Sequence, residues 1–148
     1  MQDSFLENIL KDLQERFPDS LQVNQDEWLT YLLVNPENVQ PLMTELKDKH
    51  GFNHLANLCA VDYHEEFEII YHLYSIPLSH RISVKTRVPR DKAQVPSLVE
   101  IYPTADWQER EAYDLMGISF TGHPNLIRVL LPDDFVGHPL RKDFTMKG

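Results

Sequence analysis

The chain has 148 residues, of which 42% are hydrophobic and 25% charged, and its formal net charge is −9. These values are typical of one soluble domain that buries a core without disulfides or metals, and they argue against disordered and fibrous proteins. They also argue against nucleic-acid binding, because an acidic chain repels phosphate and no Lys/Arg run here is longer than Arg141-Lys142.

The first part of the chain predicts a helix followed by two strands. Apolar residues recur at helical spacing, and Ser4 followed by Glu7 forms a capping box, so we expect a helix over 4–16. Aromatic and branched residues then favour strands at about 20–24 and 27–34.

A second helix and three further strands are predicted next. Asn35-Pro36 has the composition of a helix start, and the apolar stripe that follows continues until Gly51. The runs LANLCAVDY, EFEIIYHLYSI and RISVKTRV are strand-like, and the short turns between them indicate a three-stranded antiparallel meander.

The last helix is predicted over 104–116. Thr104 is its candidate N-cap, Gly117 ends it, and Ser97 is the candidate cap of a short helical turn over 97–102. We expect one face of the longer helix to be shared by Trp107, Ala112 and Leu115.

Residues 118–148 differ in composition from the rest, since prolines and glycines interrupt any long regular element. We therefore predict a single α+β domain over 1–148. Its globular part, about 1–117, has two layers, with helices packed on one face of a mostly antiparallel sheet. An extended, Pro-rich C-terminal tail over about 118–148 is suited to covering a partner surface.

Motifs for bound cofactors are missing from the sequence. The single cysteine, Cys59, cannot supply the thiolates of an ordinary iron–sulfur cluster, and there is neither a dinucleotide-binding nor a phosphate-binding glycine loop. The N-terminus does not resemble a signal peptide and no apolar run approaches ~20 residues, so we expect membrane association only through a partner.

The histidines provide the best case for a metal. His50 and His54 stand four apart but flank a glycine, whereas His123 and His138, each within a Gly-His-Pro tripeptide, would converge if the tail folds back. Asp133 or Asp134 would then be a third ligand of a metal-dependent hydrolase. The alternative, which we favour, is that histidines before proline hydrogen-bond locally and position an extended chain.

The charged residues of the last helix also have two interpretations. Glu109, Arg110, Glu111 and Asp114 could serve acid–base catalysis together with a histidine. A solvated or interfacial helix face explains them without catalysis, and Arg110 and Asp114 are spaced to pair on such a face.

Taken together, AVDYHEEFEIIYHLYS and the run from PSLVEIY to RKDF closely resemble the 30 kDa subunit family of the proton-pumping NADH–quinone oxidoreductase, respiratory complex I. The resemblance covers about Asn53 to Phe144. Its signature residues, which the resemblance implies to be a partner interface, are Glu109, Arg110, Glu111, Asp114, Gly117, Phe120, Gly122, His123, Pro124, Arg128, Gly137, His138, Pro139, Leu140, Arg141, Lys142, Asp143 and Phe144. At one position, Ile127, the chain departs from the adjacent pair of arginines that is usual in the family.

The resemblance implies a non-catalytic, cofactor-free subunit of the hydrophilic arm, docked on the large quinone-site subunit and on neighbouring iron–sulfur subunits. Flavin, iron–sulfur clusters and quinone would be bound by the partners, and the complex would lie on the cytoplasmic side of the cell membrane. Relatives in ferredoxin–plastoquinone oxidoreductases, membrane-bound hydrogenases and formate hydrogenlyases leave the electron donor open.

Overall fold

The structure is a computed structural model that describes residues 2–17, 21–25, 30–75, 80–124, 126 and 137–139, without the side chains of 2–7, 24, 25 and 80. Within the described residues, three helices and seven strands are formed, together with short 3-10 turns at Pro36–Asn38 and Arg90–Lys92. In chain order they are α1 (Gln2–Arg16), β1 (Leu21–Gln25), β2 (Thr30–Val34), α2 (Val39–Asp48), β3 (His54–Asp62), β4 (Glu66–Ser75), β5 (His80–Pro89), β6 (Gln94–Pro96), α3 (Ala105–Met116) and β7 (Ser119–Thr121).

The larger sheet has five strands in the order β1-β2-β5-β4-β3. The β3-β4-β5 meander is antiparallel, as the sequence predicted, and β1 and β2 form an antiparallel hairpin. The hairpin joins the meander through a parallel pairing of β2 with β5, in which Leu32 lies opposite Val84. The sheet is therefore mostly antiparallel, and the predicted α+β class is confirmed.

The core lies between one face of this sheet and the helices. Alternate residues of β4, including Phe67, Ile69 and Tyr71, are fully buried, as period-two alternation requires. The predicted stripe on α2 is buried against them, for example at Leu42 and Leu46. Each such side chain stabilises the fold by about 1.5–3 kcal/mol. No described helix has the length and apolar character needed to cross a membrane.

Two local predictions need correction. α1 begins at Gln2, so Ser4 lies inside the helix rather than at its N-cap. The short helical turn predicted at 97–102 is present as a single hydrogen-bonded turn, in which the N–H groups of Ile101 and Tyr102 both donate to the Leu98 carbonyl oxygen. Residues 119–121, which the sequence assigned to the tail, form β7 and pair in parallel with β6.

The predicted face of Trp107, Ala112 and Leu115 coincides only in part with the buried side of α3, where Ala112 and Leu115 pack against the core. Trp107 is half exposed, whereas Glu109 and Asp114 are fully buried. The buried carboxylates correct the expectation of a solvated helix face. A buried carboxylate requires hydrogen-bond donors, and the donors to Glu109, which are Ser97 and Leu98, come from a separate segment of the chain. Helical periodicity therefore could not predict this orientation.

Candidate functional site

The family-signature residues that the structure describes cluster on and around α3. The helix ends at Gly117, which has a left-handed conformation with φ 75° and donates its N–H to the Tyr113 carbonyl oxygen at 2.9 Å. Residues with a Cβ rarely adopt this conformation, which explains why a glycine occupies this position. Among the described residues, the side chains of Glu109, Gln108, His123 and His138 anchor the helix to the rest of the domain.

Glu109 connects α3 to the turn that precedes it. Its Oε1 accepts a hydrogen bond from the Ser97 hydroxyl at 2.6 Å, and its Oε2 accepts one from the Leu98 N–H at 2.7 Å. Burial raises the pKa of the Glu109 carboxyl above its ordinary value, while the bonds from Ser97 and Leu98 act in the opposite direction. This carboxylate therefore acts as a structural acceptor inside the domain and not as a solvent-facing acid.

Gln108 connects the same helix to the edge of the sheet. Its Oε1 accepts a hydrogen bond from the backbone N–H of Leu58 in β3, with a separation of 2.5 Å. A backbone donor at the outer strand is thereby satisfied by a side chain. Sequence reasoning missed this contact, since a glutamine on a helix carries no signal for its partner.

His123, from the first Gly-His-Pro tripeptide, is bound to the N-terminal turn of α3. Its side chain is completely buried, and its Nε2–H donates to the carbonyl oxygen of Asp106 at 3.2 Å, with Asp106 Oδ1 3.0 Å away. This arrangement requires the proton to be on Nε2. Gly122 precedes it with a φ of 84°, which allows the chain to turn after β7.

His138, from the second Gly-His-Pro tripeptide, is bound to the opposite end of the same helix. Its Nδ1–H donates to the Asp114 carbonyl oxygen at 2.9 Å, and its ring lies 6.1 Å from the ring of Tyr113. The last carbonyl groups of a helix have no intrahelical donor, so this contact satisfies an acceptor at the C-terminal end. The two histidines thus hold the two ends of α3.

The structure does not bring His123 and His138 together as metal ligands. Their acceptors, Asp106 and Asp114, are eight residues apart, which corresponds to ~12 Å along a helix. Two ligands of one zinc ion lie within about 4 Å of each other, because each is ~2 Å from the metal. Asp133 and Asp134 lie outside the described residues.

His50 and His54 are also separated in the structure. His54 begins β3, whereas His50 bonds to Asp12 at 3.1 Å and lies close to Glu45. Asp12, Glu45 and His50 place one potential ligand atom each within 4.8 Å of the others.

A dication at that cluster would meet two cations that are already in place. Lys49 pairs with Asp12 at 3.0 Å and lowers the pKa of its carboxyl, and Arg16 pairs with Glu45 at 3.3 Å. Because these pairs already neutralise both carboxylates, the cluster is better explained as an ion network that connects α1 and α2.

The exposed side of α3 carries a patch formed by Trp107, Arg110 and Glu111, here called the Trp107 patch. The indole N–H of Trp107 donates to Glu111 Oε1 at 2.7 Å, and the Arg110 guanidinium lies 5.5 Å from the indole ring. Trp107 is 50% exposed, which makes it one of only two large exposed hydrophobic residues in the described part of the chain. An ordered, half-exposed tryptophan beside an arginine has the composition of a protein-binding hot spot.

The remaining signature residues fall into two groups. Phe120 is buried in β7 opposite Val95, while Pro124 and the segment 137–139 are at least partly exposed. Outside the described residues lie Ile127, Arg128, Leu140, Arg141, Lys142, Asp143 and Phe144, so their predicted interface roles stay predictions.

Comparison with known proteins identifies relatives along almost the whole chain. Residues 32–148 match the family model described as respiratory-chain NADH dehydrogenase, 30 Kd subunit. The chain is 51% identical over 144 residues to the NADH-quinone oxidoreductase subunit designated C in Moorella thermoacetica, covering 96% of this chain and 97% of that protein. It is 41% identical over 140 residues to the subunit of the same designation in Citrifermentans bemidjiense, covering 92% of this chain and 87% of that protein.

Two solved structures share the fold. A trypsin-resistant fragment of Nqo5 has a TM-score of 0.73 and 28% identity, and the match covers 82% of this chain and 99% of the fragment. A chain of the membrane-bound sulfane sulfur reductase, an archaeal respiratory membrane complex, has a TM-score of 0.82 and 30% identity, and the match covers 95% of this chain and 85% of that one.

Proposed function

This chain belongs to the respiratory-chain NADH dehydrogenase 30 kDa subunit family, and from that membership we propose that it is a cofactor-free structural subunit of a proton-translocating NADH:quinone oxidoreductase. In this proposal it lies in the hydrophilic arm, on the cytoplasmic side of the cell membrane, and docks on the large quinone-site subunit and neighbouring iron–sulfur subunits. It supports electron transfer from NADH to quinone without itself being catalytic.

The observation that carries the proposal is how the signature side chains on and around α3 are used. Glu109, His123 and His138 all bond within the chain, at distances between 2.6 and 3.2 Å. Catalytic acids and bases need access to a substrate, whereas these groups are engaged in holding one helix. A helix fixed at both ends presents the Trp107 patch in a constant position, which is what a docking subunit requires.

The contribution of such a subunit to electron transfer is geometric. Displacements of about 1 Å at a reaction centre are costly, so a rigid frame that holds partner subunits in register supports turnover without touching the substrate. In this proposal flavin, iron–sulfur clusters and quinone are bound by partners. The single cysteine of this chain agrees with that division, because an ordinary cluster takes four thiolates.

The proposed docking is tested with two tail variants, Arg141→Ala and Asp143→Ala, each of which removes one of the three charged groups of the Gly-His-Pro-Leu-Arg-Lys-Asp-Phe signature. We expect both to lower the yield of complex recovered with the large quinone-site subunit, while the isolated variant chains keep the circular dichroism spectrum of the parent chain. Lys92→Gln is a matched control, since Lys92 is exposed and has no ion pair among the described residues. Parental yields in both tail variants would refute the docking role.

A second candidate is the equivalent subunit of a complex with another electron donor. The likeness to a chain of the sulfane sulfur reductase complex favours it, since that match has the higher TM-score of the two structures. Ferredoxin–plastoquinone oxidoreductases, membrane-bound hydrogenases and formate hydrogenlyases are the related machines to consider.

The two candidates are separated by affinity purification of this chain from detergent-solubilised native membranes, followed by an assay of NADH-to-quinone electron transfer in the eluate. NADH-dependent activity supports the first candidate. Co-purifying iron–sulfur and quinone-site subunits without that activity support the second, and elution of the chain alone contradicts both.

A further inference from the structure

The face of the large sheet that points away from the helices carries a cavity that the proposed function does not use. It has a volume of 420 Å³ and is lined by residues of three strands, including His54, His72, Tyr74, Arg81 and Ser83. In the β4–β5 ladder Tyr74 lies opposite Arg81 and His72 opposite Ser83. The cavity is therefore formed at the end of the meander where β4 passes into β5.

Arg81 is the charged group of this cavity. Its guanidinium lies 5.7 Å from the centre of the Tyr74 ring, a cation–π distance that limits its movement. Among the described residues Arg81 has no carboxylate partner. Lys85 and Arg87, which follow at alternate positions on the same strand and face, pair with Glu68 at 3.7 and 3.0 Å. Arg81 is thus held beside Tyr74 and, within the part of the chain that the structure describes, its charge has no carboxylate partner.

Among the described residues that line the cavity, no acidic group would compete with an incoming anion for Arg81. No aspartate or glutamate is among the residues lining the cavity, and residues 69–90 of the sequence contain none, although the whole chain has a net charge of −9. This stretch contains four Lys/Arg residues. A local positive potential on an acidic protein favours a negatively charged ligand.

Neutral hydrogen-bonding groups beside Arg81 complete the site. The Nδ1 of His72 is 2.8 Å from the Ser83 hydroxyl, which leaves Nε2 as the ring atom for a ligand. Burial, and the nearby Lys85, lower the pKa of His72, which favours the neutral imidazole. In the tautomer whose Nδ1 accepts from the Ser83 hydroxyl, the Nε2–H of His72 is a donor. The cavity then offers the Arg81 guanidinium and this neutral donor, a combination suited to a single carboxylate.

We propose that this cavity binds a carboxylate presented by an acidic side chain of a partner subunit, with the Arg81 guanidinium as its main donor. The choice of a protein as the source of the carboxylate rests on the proposed function and on the composition of the sheet surface around the cavity. Half-buried apolar and aromatic side chains such as Leu33, Ile70 and Tyr74 lie along it, and a mixed surface of this kind is covered by protein in assembled complexes.

Carboxylate binding is tested first on the full chain alone, so that the result does not depend on the proposed function. The probes are N-acetyl-glutamate N-methylamide and its neutral counterpart, N-acetyl-glutamine N-methylamide. They are titrated at constant ionic strength while the Arg81 Nε–H and His72 ring signals are followed by NMR. We expect saturable shifts with the glutamate probe only.

Three variants locate the binding site. Arg81→Gln should weaken binding of the glutamate probe at least tenfold, a loss of about 1.4 kcal/mol. Arg81→Lys should retain part of the affinity, because lysine keeps the charge but not the planar guanidinium. Lys92→Gln, which removes an exposed charge beyond the opposite end of β5, should leave binding unchanged. An equal response to the glutamine probe, or parental binding in Arg81→Gln, would overturn the proposal.

The source of the carboxylate is then tested on the purified complex. If a partner side chain occupies the cavity, the glutamate probe no longer shifts the Arg81 NMR signal in the complex. In that case the complex that contains Arg81→Gln also dissociates at a lower salt concentration than the complex that contains Lys92→Gln. If the probe binds the assembled complex as it binds the free chain, the carboxylate comes from a small molecule and the partner assignment is wrong. Failure of the first test removes the site while leaving the docking role of the tail untouched.

Discussion

Glu109 allows a stability prediction in which charge and shape are separated. Its carboxylate is completely buried and accepts hydrogen bonds from the Ser97 hydroxyl and the Leu98 N–H. Glu109→Gln keeps the size of the side chain, and the amide preserves both contacts. Its oxygen accepts from Leu98, and its NH₂ group donates to the Ser97 hydroxyl, which can reverse its role. Glu109→Ala removes both contacts and most of the volume.

The expected free energies follow from these contacts. In Glu109→Ala the buried Leu98 N–H loses its partner, which costs about 1–3 kcal/mol, and the loss of two buried methylene-sized groups adds ~1.6 kcal/mol. We therefore expect a loss of roughly 3–5 kcal/mol, a large fraction of the 5–15 kcal/mol typical of a domain. At low pH Glu109→Gln should stay within about 1 kcal/mol of the parent chain.

The dependence on pH has a definite sign. Burial raises the pKa of Glu109 above its ordinary value of 4.5. An acid whose folded pKa is raised contributes stability that is fully present below pH 4.5 and is lost as the pH rises through the folded value. The glutamine variant has no such group, so its stability relative to the parent chain should increase from pH 4.5 upwards.

The assay is urea unfolding of the parent chain and both variants at several pH values between 4.5 and 8, followed by circular dichroism. The midpoint of Glu109→Gln should move upward relative to that of the parent as the pH increases. Parallel curves for the two proteins across this range, or a glutamine variant as unstable as the alanine variant, would refute the reasoning.

Two further predictions concern α3. His123→Ala should lower the free energy of unfolding by about 2–4 kcal/mol because the side chain is completely buried, whereas His138→Ala should lower it by about 1 kcal/mol. The two contacts are ~12 Å apart, so urea unfolding of the double variant should give the sum of the two losses within ~0.5 kcal/mol. Trp107→Ala should change stability by less than about 1 kcal/mol but weaken association with the partner subunits, while Met116→Ala, in the core, should cost more stability. Association is measured by co-purification yield, and an undiminished yield for Trp107→Ala would contradict its role as a docking residue.

Local features of the fold were predictable from the sequence. The α2 stripe and the β3-β4-β5 meander were predicted correctly because each depends on residues close together in the chain. Period-two alternation determines which side of a strand is buried, and a short turn makes consecutive strands antiparallel neighbours. Gly117 was predicted to end α3 because a left-handed residue at a helix end is a local requirement.

Contacts between distant segments were not predictable in this way. The parallel pairing of β2 with β5 joins Leu32 to Val84, and β6 pairs with β7 across the whole of α3. Neither has a sequence signal, because strand pairing outside a hairpin depends on the path of the intervening chain. The orientation of α3 has the same origin, since Glu109 turns inward only where Ser97 and Leu98 provide donors.

By itself the sequence determined the family, through the order and spacing of its signature residues. It also determined that the chain has a single cysteine, a number that does not depend on the fold. Only the tertiary structure decided what the two Gly-His-Pro histidines do. Their acceptors lie 17 and 24 residues away along the chain. A hydrogen bond of about 3 Å between such distant residues exists only when the backbone between them has been placed, and here it places His123 and His138 at opposite ends of one helix.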